Sequence, residues 1–457
     1  MRAFFRSAPK EQPSRSPEVE LSENEIRLLC FAATESTRDE ADSVLLMLER
    51  ATYTRSSAPA YIALSYVWGD AVDQKTVSIN GKHVSIQANL YAALCRLRVF
   101  VRTSQAWPSR RTLVADSSGS RLHSNQLPTA TRFWVDAQCI DQTNIIERNR
   151  QVRIMRDIYA DAASVFAWTG QLSEHDSAVL DEFYAYLLVP PDLDMWMVEA
   201  VDLPPEKGAV NERADYQQTP HGRMDRRLSK VVRRLSTAKN FTRMWCAQEL
   251  LVPAHLFFLC GKHIISVESF ASLVAQADGA QLQQSPAYQS LALRSSFRAV
   301  KGSLHAPLGS LLVTFENAQC SDPRDKLFAL LGLLPPDHSL RSVCPDYDLT
   351  QKDVLIKAVQ ESRRHASEVR SDARESCWLL LKAFGVPDVC ANAVRAWLSS
   401  GGRRFHSDVE PIRAGRRSGV SLSFRYSGQP IAFSDSTLTG AELLWAVFGS
   451  GPDDLAE

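Results

Sequence analysis

The sequence lacks a charge excess of either sign, a paired-cysteine motif and an apolar run long enough to cross a bilayer. Lys and Arg number 52 and Asp and Glu 52 in 457 residues, so the chain as a whole has no pull toward nucleic acid or an anionic membrane surface. Its cysteines, at 30, 95, 139, 246, 260, 320, 344, 377 and 390, are odd in number, widely spaced and free of C-x-x-C pairs. That pattern speaks against a disulfide framework or a zinc ribbon. Cys260 and His263 form a C-x-x-H without a second ligand pair, so buried free thiols in a reducing compartment are expected and no metal site is. The longest apolar stretch, 250–260, is broken by Pro253 and His255, short of the roughly 18–20 residues a membrane helix needs. The N-terminus has two aromatic residues before proline and charge set in, too few for a secretory core, and Glu11, Glu18 and Glu20 argue against a mitochondrial presequence. A cytoplasmic location is expected. There is no G-x-x-x-x-G-K-[ST] and no G-x-G-x-x-G after a strand, which removes the P-loop and the Rossmann fingerprint. No internal repeat occurs.

The composition is that of a globular chain: 45% hydrophobic and 23% charged residues. The length implies two or three domains, or one with a long annex. Residues 1–22 read as a disordered tail, and 26–33 as a first strand. Residues 40–50 read as a helix, with Val44, Leu45 and Leu48 at helical spacing. The runs 61–68, 133–137 and 164–168 read as buried strands, and Asn80-Gly81 between 76–80 and 83–86 is a hairpin signal. Helices are predicted over 89–101, with Leu90, Leu94 and Leu97 on one face, and from Asp141 or Thr143 to about 163, with Val152, Met155, Tyr159 and Ala162 as its stripe. Strand, helix, strand, helix, strand over 61–170 points to an α/β layer, most simply a mainly parallel sheet flanked by helices. Beyond 172 the texture is helical, with one strand at 255–260. Residues 102–130 and 203–223 read as loops, and 401–457 as a poorly ordered tail.

Three blocks stand out in order: YIALSYVWGD (61–70), FWVDAQCIDQTNIIERNRQVRIMRDIYADAASVFAWTG (133–170) and FTRMWCAQELL (241–251). They resemble the fungal heterokaryon incompatibility (HET) domain, with its A-L-S-Y-x-W-G block, its W-I-D-x-x-C-I-N-Q block leading into E-R-x-x-Q-V-x-x-M, and its W-x-x-Q-E block. SDPRDKLFALLGLLP (321–335) resembles a segment that comes after the domain in many such proteins. Asp141, Gln138 and Cys246 depart from the usual Asn, apolar residue and Val. On this resemblance the HET core spans 26–170, helices complete it over 171–260, and a helical C-terminal region covers 261–400. The resemblance implies nonself recognition ending in growth arrest or programmed death. Activation by a protein partner is expected, since a constitutively lethal domain could not be kept in a living cell, and self-association is left open. A distant similarity of the family to TIR domains, some of which cleave NAD, has been suggested. That makes NAD a candidate substrate, with no cofactor certain and the chain's standing as an enzyme open.

Asp136 ends a buried strand, where α/β sheets form ligand crevices, and is equally placed to cap the next loop or helix. Glu147 and Arg148 fall in the first turns of the next helix. A carboxylate there gains about 0.3–1 kcal/mol from the helix dipole, and is also a candidate catalytic group beside Asp136. Trp68, next to Gly69-Asp70, is a candidate pocket wall, so Trp68, Asp70 and Arg148 are the cofactor-binding candidates. Cys139 has no histidine in its block to activate it and reads better as a core thiol. Gln248 and Glu249 need buried partners, with Arg148 or Arg243 available. A polar cluster of Asp136, Glu147, Arg148 and Glu249 is expected, either organising the domain or forming its site. The basic run 223–234 is expected to spread its charge round its helix as a solvated face.

Overall fold

The computed structural model of the chain describes residues 20–32, 46–69, 72–106, 111–112, 125–126, 131–187, 226–277, 282, 284–299, 305–366, 372–384, 409–413, 422–426 and 429–430. These divide into two compact units, one within 21–142 and 157–296, the other within 143–156 and 297–457 together with residue 20.

The first unit is built on a nine-stranded sheet. Its strands are β1 (Glu25–Phe31), β2 (Leu46–Thr54), β3 (Tyr61–Ser65), β4 (Gln74–Ile79) and β5 (Lys82–Gln87), then β8 (Arg132–Trp134), β9 (Ser164–Gly170), β10 (Leu256–Cys260) and β11 (His263–Ser266). Between them β6 (Arg111–Thr112) and β7 (Asn125–Gln126) pair as a short ribbon. The order across the sheet is β11-β10-β9-β3-β8-β1-β2-β4-β5. Neighbours from β10 through β9 and β3 to β8 run parallel, as do β2 and β4, and the remaining pairs are antiparallel. The α/β class holds, with a parallel block at the centre of a mixed sheet. The sequence explains that centre: YIALS in β3, SVFAW in β9 and LFFLC in β10 are buried at every position, the mark of strands covered on both faces.

Helices flank the sheet. Helix α1 (Ala88–Ala106) buries Leu90, Leu94 and Leu97 completely and sets Phe100 edge-on to Phe166 of β9, centroids 5.0 Å apart. A single turn, α2 (Asp136–Cys139), comes after β8, and α3 (Ile145–Asp161) returns the chain to β9. Asn144, rather than Asp141 or Thr143, caps α3, its Oδ1 accepting the Glu147 N–H at 3.1 Å. The β4–β5 turn is the expected hairpin, with Asn80 at φ 51° and Gly81 at φ 76°. Asn80 also accepts from Arg50 N at 2.8 Å and donates to Arg50 O at 3.0 Å, adding a side-chain rung beside β2.

Three expectations change. Within 40–50 the described residues, 46–50, start a strand, not a helix: Leu46 and Leu48 point inward, Met47 and Glu49 outward, and β2 pairs along all of β1. The spacing of Leu45 and Leu48 fits a helix as well as period two fits a strand, and the partner strand decides. Strand β11 was not expected; Gly261 at φ +55° makes the turn into it. The basic run forms the helix Arg226–Ser236, and its charge is one-sided. Leu228, Val231, Val232 and Leu235 are buried, while Arg226, Arg227, Lys230, Arg233 and Arg234 are at the surface. The surface face is partly neutralised by α4 (Glu174–Leu187), through Arg227 to Glu182 at 2.9 Å and Arg234 to Asp176. The expected loop at 203–223 lies outside the described residues.

The second unit is mainly helical, with Leu308–Thr314, Asp325–Leu331, Gln351–Ala366 and Asp372–Ala383. Leu311, Leu327, Leu330, Leu355 and Val359 are buried in it. Within 401–457 the described residues pair as an antiparallel ribbon of β12 (Val409–Arg413), β13 (Leu422–Tyr426) and β14 (Gln429–Pro430). Among the described residues no helix is long and apolar enough to cross a membrane.

Candidate functional site

The three sequence blocks meet at the C-terminal ends of the central parallel strands. Ile62 pairs with Phe133 and Ala63 with Trp134; continuing that register by two residues sets Ser65, the last residue of β3, beside Asp136. Open α/β sheets present ligand crevices at this end.

The loop after β3 is fastened at each residue. Arg243 Nη1 donates to the Tyr66 carbonyl, and Asn89 Nδ2 donates to the Val67 carbonyl at 2.7 Å. Trp68 Nε1 donates to Asp136 Oδ2 at 2.9 Å. Asn89 itself accepts from Trp168 Nε1 at 2.8 Å, so the loop is tied to the end of β9. Gly69 closes the turn at φ +81°, and a Cβ there would stand 3.4 Å from Asn89 Cβ in a conformation that L residues rarely adopt.

Asp136 is held on both oxygens: Oδ2 by the Trp68 indole and Oδ1 by the Ala137 N–H at 2.7 Å. Gln142 Nε2 donates to its carbonyl at 3.2 Å. Behind it lies Glu249, on the helix Cys246–Leu251 and 1% exposed. Ser65 Oγ donates to Glu249 Oε2 at 2.5 Å, and Arg243 Nη1 stands 3.6 Å from Oε1. Burial pushes the Glu249 carboxyl above the usual carboxylate range; Arg243 and Ser65 pull it back, and the Asp136 charge pushes it up again. Burial also opposes the Arg243 charge, but Glu249 and Asp136 more than offset this and hold the guanidinium cationic. The Tyr66 phenol is driven well above its ordinary value by burial and then by Asp136. Tyr159, stacked edge-on against Trp134 at 5.4 Å, completes the set. A buried ion pair of this kind is weak evidence for stability, whereas its supporting hydrogen bonds fix one geometry.

Residues 61–249 match the family model "Heterokaryon incompatibility protein (HET)". This part of the chain is similar to HET domains. A relative found by comparison is heterokaryon incompatibility protein 6, OR allele, of Neurospora crassa, 29% identical over 234 residues, which is 48% of this chain and 31% of that protein. The chain thus spans about a third of the length of the curated relative it matches. No solved structure gives a significant match. The matched segment begins at Tyr61 of β3 and ends at Glu249. The folded sheet is wider, since β1, β2, β10 and β11 lie outside the match.

Within the matched segment the structure joins Asp136, Trp68 and Glu249, with Arg243 rather than Arg148 as the partner of Glu249. Glu147 and Arg148 group instead with the second unit. The helix explains the difference: Tyr159 reaches the cluster, and Glu147 lies twelve residues earlier, about 18 Å back along the axis. Asp70 lies outside the described residues. Cys139 is a core thiol, 1% exposed, with its Sγ accepting the Val135 N–H at 3.3 Å and its pKa pushed up to about 12 by burial. Among the described residues no three His, Cys, Asp or Glu side chains gather as a metal would require. Sequence reasoning missed Ser65, Asn89 and Tyr159. Ser65 stood inside the first block, and Tyr159 was legible only as part of an apolar stripe.

Proposed function

We propose that this chain acts in fungal heterokaryon incompatibility, as a cytoplasmic effector of nonself recognition that brings growth arrest or programmed death when a protein partner activates it. The observation that supports this reading is the convergence of all three HET blocks on one hydrogen-bonded cluster: Ser65 and Trp68 from the first, Asp136 and Tyr159 from the second, Arg243 and Glu249 from the third. Open α/β sheets place their ligand sites at such strand ends. Heterokaryon incompatibility is the function named for the Neurospora relative.

A second reading makes the death mechanism enzymatic, a TIR-like hydrolysis of NAD. Trp68 favours it, being 39% exposed with its indole N–H held by Asp136. A planar base stacked on that ring would lie beside a fixed carboxylate. In this reading Asp136 is the catalytic carboxylate, Trp68 lines the ligand, and Glu249 with Arg243 holds the floor. Glu147, with Arg148, is a separate candidate, which Glu147→Gln examines on its own. The alternative is a non-catalytic interaction module, acting through self-association or recruitment. Induced expression in a yeast host, with NAD and viable counts followed together, decides between them. A fall in NAD ahead of death supports hydrolysis; death at constant NAD removes it and leaves the interaction module.

A further inference from the structure

Two sequence segments that play no part in the cluster, E-R-N-R at 147–150 and D-P-R-D at 322–325, come together within the second unit around one tyrosine. Asn149, 8% exposed, accepts the Tyr347 backbone N–H on Oδ1 at 2.9 Å and donates from Nδ2 to Asp346 Oδ1 at 3.2 Å. One amide thus reads both the main chain of one residue and the side chain of its neighbour. The Arg148 guanidinium lies 3.9 Å over the Tyr347 ring, Arg324 stands 5.2 Å from the same centroid, and Phe328 meets the ring edge-on at 5.3 Å. Tyr347 Oη donates to Asp325 Oδ1 at 2.6 Å, and Arg324 Nη1 donates to the Tyr347 carbonyl at 2.9 Å. Asp322 clamps Arg324 through both of its oxygens, at 2.9 and 2.6 Å.

Every recognisable feature of Tyr347 is therefore engaged: N–H, carbonyl, ring face, ring edge and hydroxyl. Core packing of a tyrosine calls for burial and one partner for the hydroxyl. Here the contacts instead match the pattern of peptide recognition, with main-chain pairing for affinity and side-chain contacts for identity. The segment that carries Tyr347 has neither helix nor strand of its own. It lies between the turn Ser339–Ser342 and the helix Gln351–Ala366, with Asp348 and Thr350 at its surface. A stretch held by side-chain contacts rather than by a ladder belongs to the low-stability end of a fold and opens first.

We infer that the first turns of α3, with the Asp322–Asp325 turn, form a recognition surface for an Asp-Tyr peptide, filled here by the chain's own Asp346–Tyr347 as a detachable latch on residues 147–151. The ring and hydroxyl contacts select tyrosine, and Asn149 selects an aspartate before it. The inference stands independently of any catalytic reading of Asp136.

The test uses the full chain carrying Tyr347→Ala, and a synthetic peptide of residues 343–350 with Cys344→Ser. Amide hydrogen exchange over 145–151 is expected to quicken on the order of tenfold in the variant, as the latch opens. The peptide at millimolar concentration, comparable to what the tether supplies in cis, is expected to restore protection. The same peptide with Tyr347→Phe restores less of it, lacking the hydroxyl for Asp325. Unchanged exchange in the variant overturns the inference, and so does lost protection that the peptide fails to restore, which would mark Tyr347 as packing alone. Should Tyr347→Ala not fold, Asn149→Ala leaves the ring in place: faster exchange over 345–349 upholds the latch, and unchanged exchange overturns it.

Discussion

Arg294 offers the sharpest energetic test of how the cluster is supported. It lies 45 residues beyond Glu249, outside the HET match, and is 4% exposed. Its guanidinium donates to four carbonyls at the end of the helix that carries Glu249: Leu250 at 2.5 Å, Leu251 at 3.3 Å, Pro253 at 2.8 Å and Ala254 at 3.5 Å. The last carbonyls of a helix have no partner within it, and its C-terminus favours a cation. Arg294→Met keeps the aliphatic stem and removes every donor. Two of the four bonds are short, and charged hydrogen bonds contribute about 1.5–3 kcal/mol each, so the loss is expected at about 3–5 kcal/mol. Arg294→Lys keeps the charge but not the fork, and recovers about half. Urea unfolding of the full chain measures the total, and hydrogen exchange over 246–260 reports the local part. Because Glu249 shares that helix, exchange at 65–69 is expected to rise with it. A loss below about 1 kcal/mol would refute the reasoning.

Three further outcomes are expected. Arg243→Met leaves the Glu249 carboxylate buried without its cation, at a cost of about 3–5 kcal/mol. Burial already raises the folded pKa of Glu249, and a raised carboxyl contributes stability that is present below its unfolded pKa and lost as pH rises. The variant is therefore less unstable near pH 5 than near pH 8 in paired melting curves. His263 is buried, with its pKa held down to about 4 from 6.5. Ser177 lies at 3.2 Å and Asp181 at 3.7 Å from its Nε2, with Lys262 and Arg96 close by. Here the unfolded chain binds the proton more readily, so stability drops by about 3 kcal/mol as pH falls from 6.5 to about 4. His263→Gln flattens that slope; equal slopes would contradict it. Cys344 is exposed, while Cys139 and Cys260 are buried with pKa pushed up to about 12. A thiol reagent should label Cys344 in the native chain and Cys139 only on unfolding; fast labelling of Cys139 would revive it as a nucleophile.

The parallel centre was legible because three of its strands carry near-unbroken apolar runs, IAL in β3, VFAW in β9 and LFFLC in β10, and the Asn80-Gly81 turn because its backbone demands positive φ. Strand β2 was not, because the short pattern 46–50 fits two periods and only β1 selects one. The meeting of Trp68, Asp136 and Glu249 was half legible: the blocks marked the residues as special, while strand register and helix length decide which of them touch. Glu147 shows the limit. It sits in the same block as Asp136, in the first turn of the helix past the loop, yet the three turns that separate it from Tyr159 carry it into the other unit. Arg294 was invisible, since a buried arginine that caps a distant helix leaves no periodic or spacing signal.

The most direct test of the cluster as the working site is Asp136→Asn beside Trp68→Phe, each expressed from the same inducible promoter in a host that the wild-type chain kills, with melting temperatures of the purified proteins. Trp68→Phe removes the indole donor and leaves a smaller ring in its place, and Asp136→Asn keeps the shape and an acceptor oxygen while removing the charge. The account predicts that killing is lost in both while the melting temperature stays within about 4 °C of wild type, a shift worth roughly 1–2 kcal/mol in a unit of this size. Undiminished killing by both variants would contradict it, as would killing lost only together with the fold.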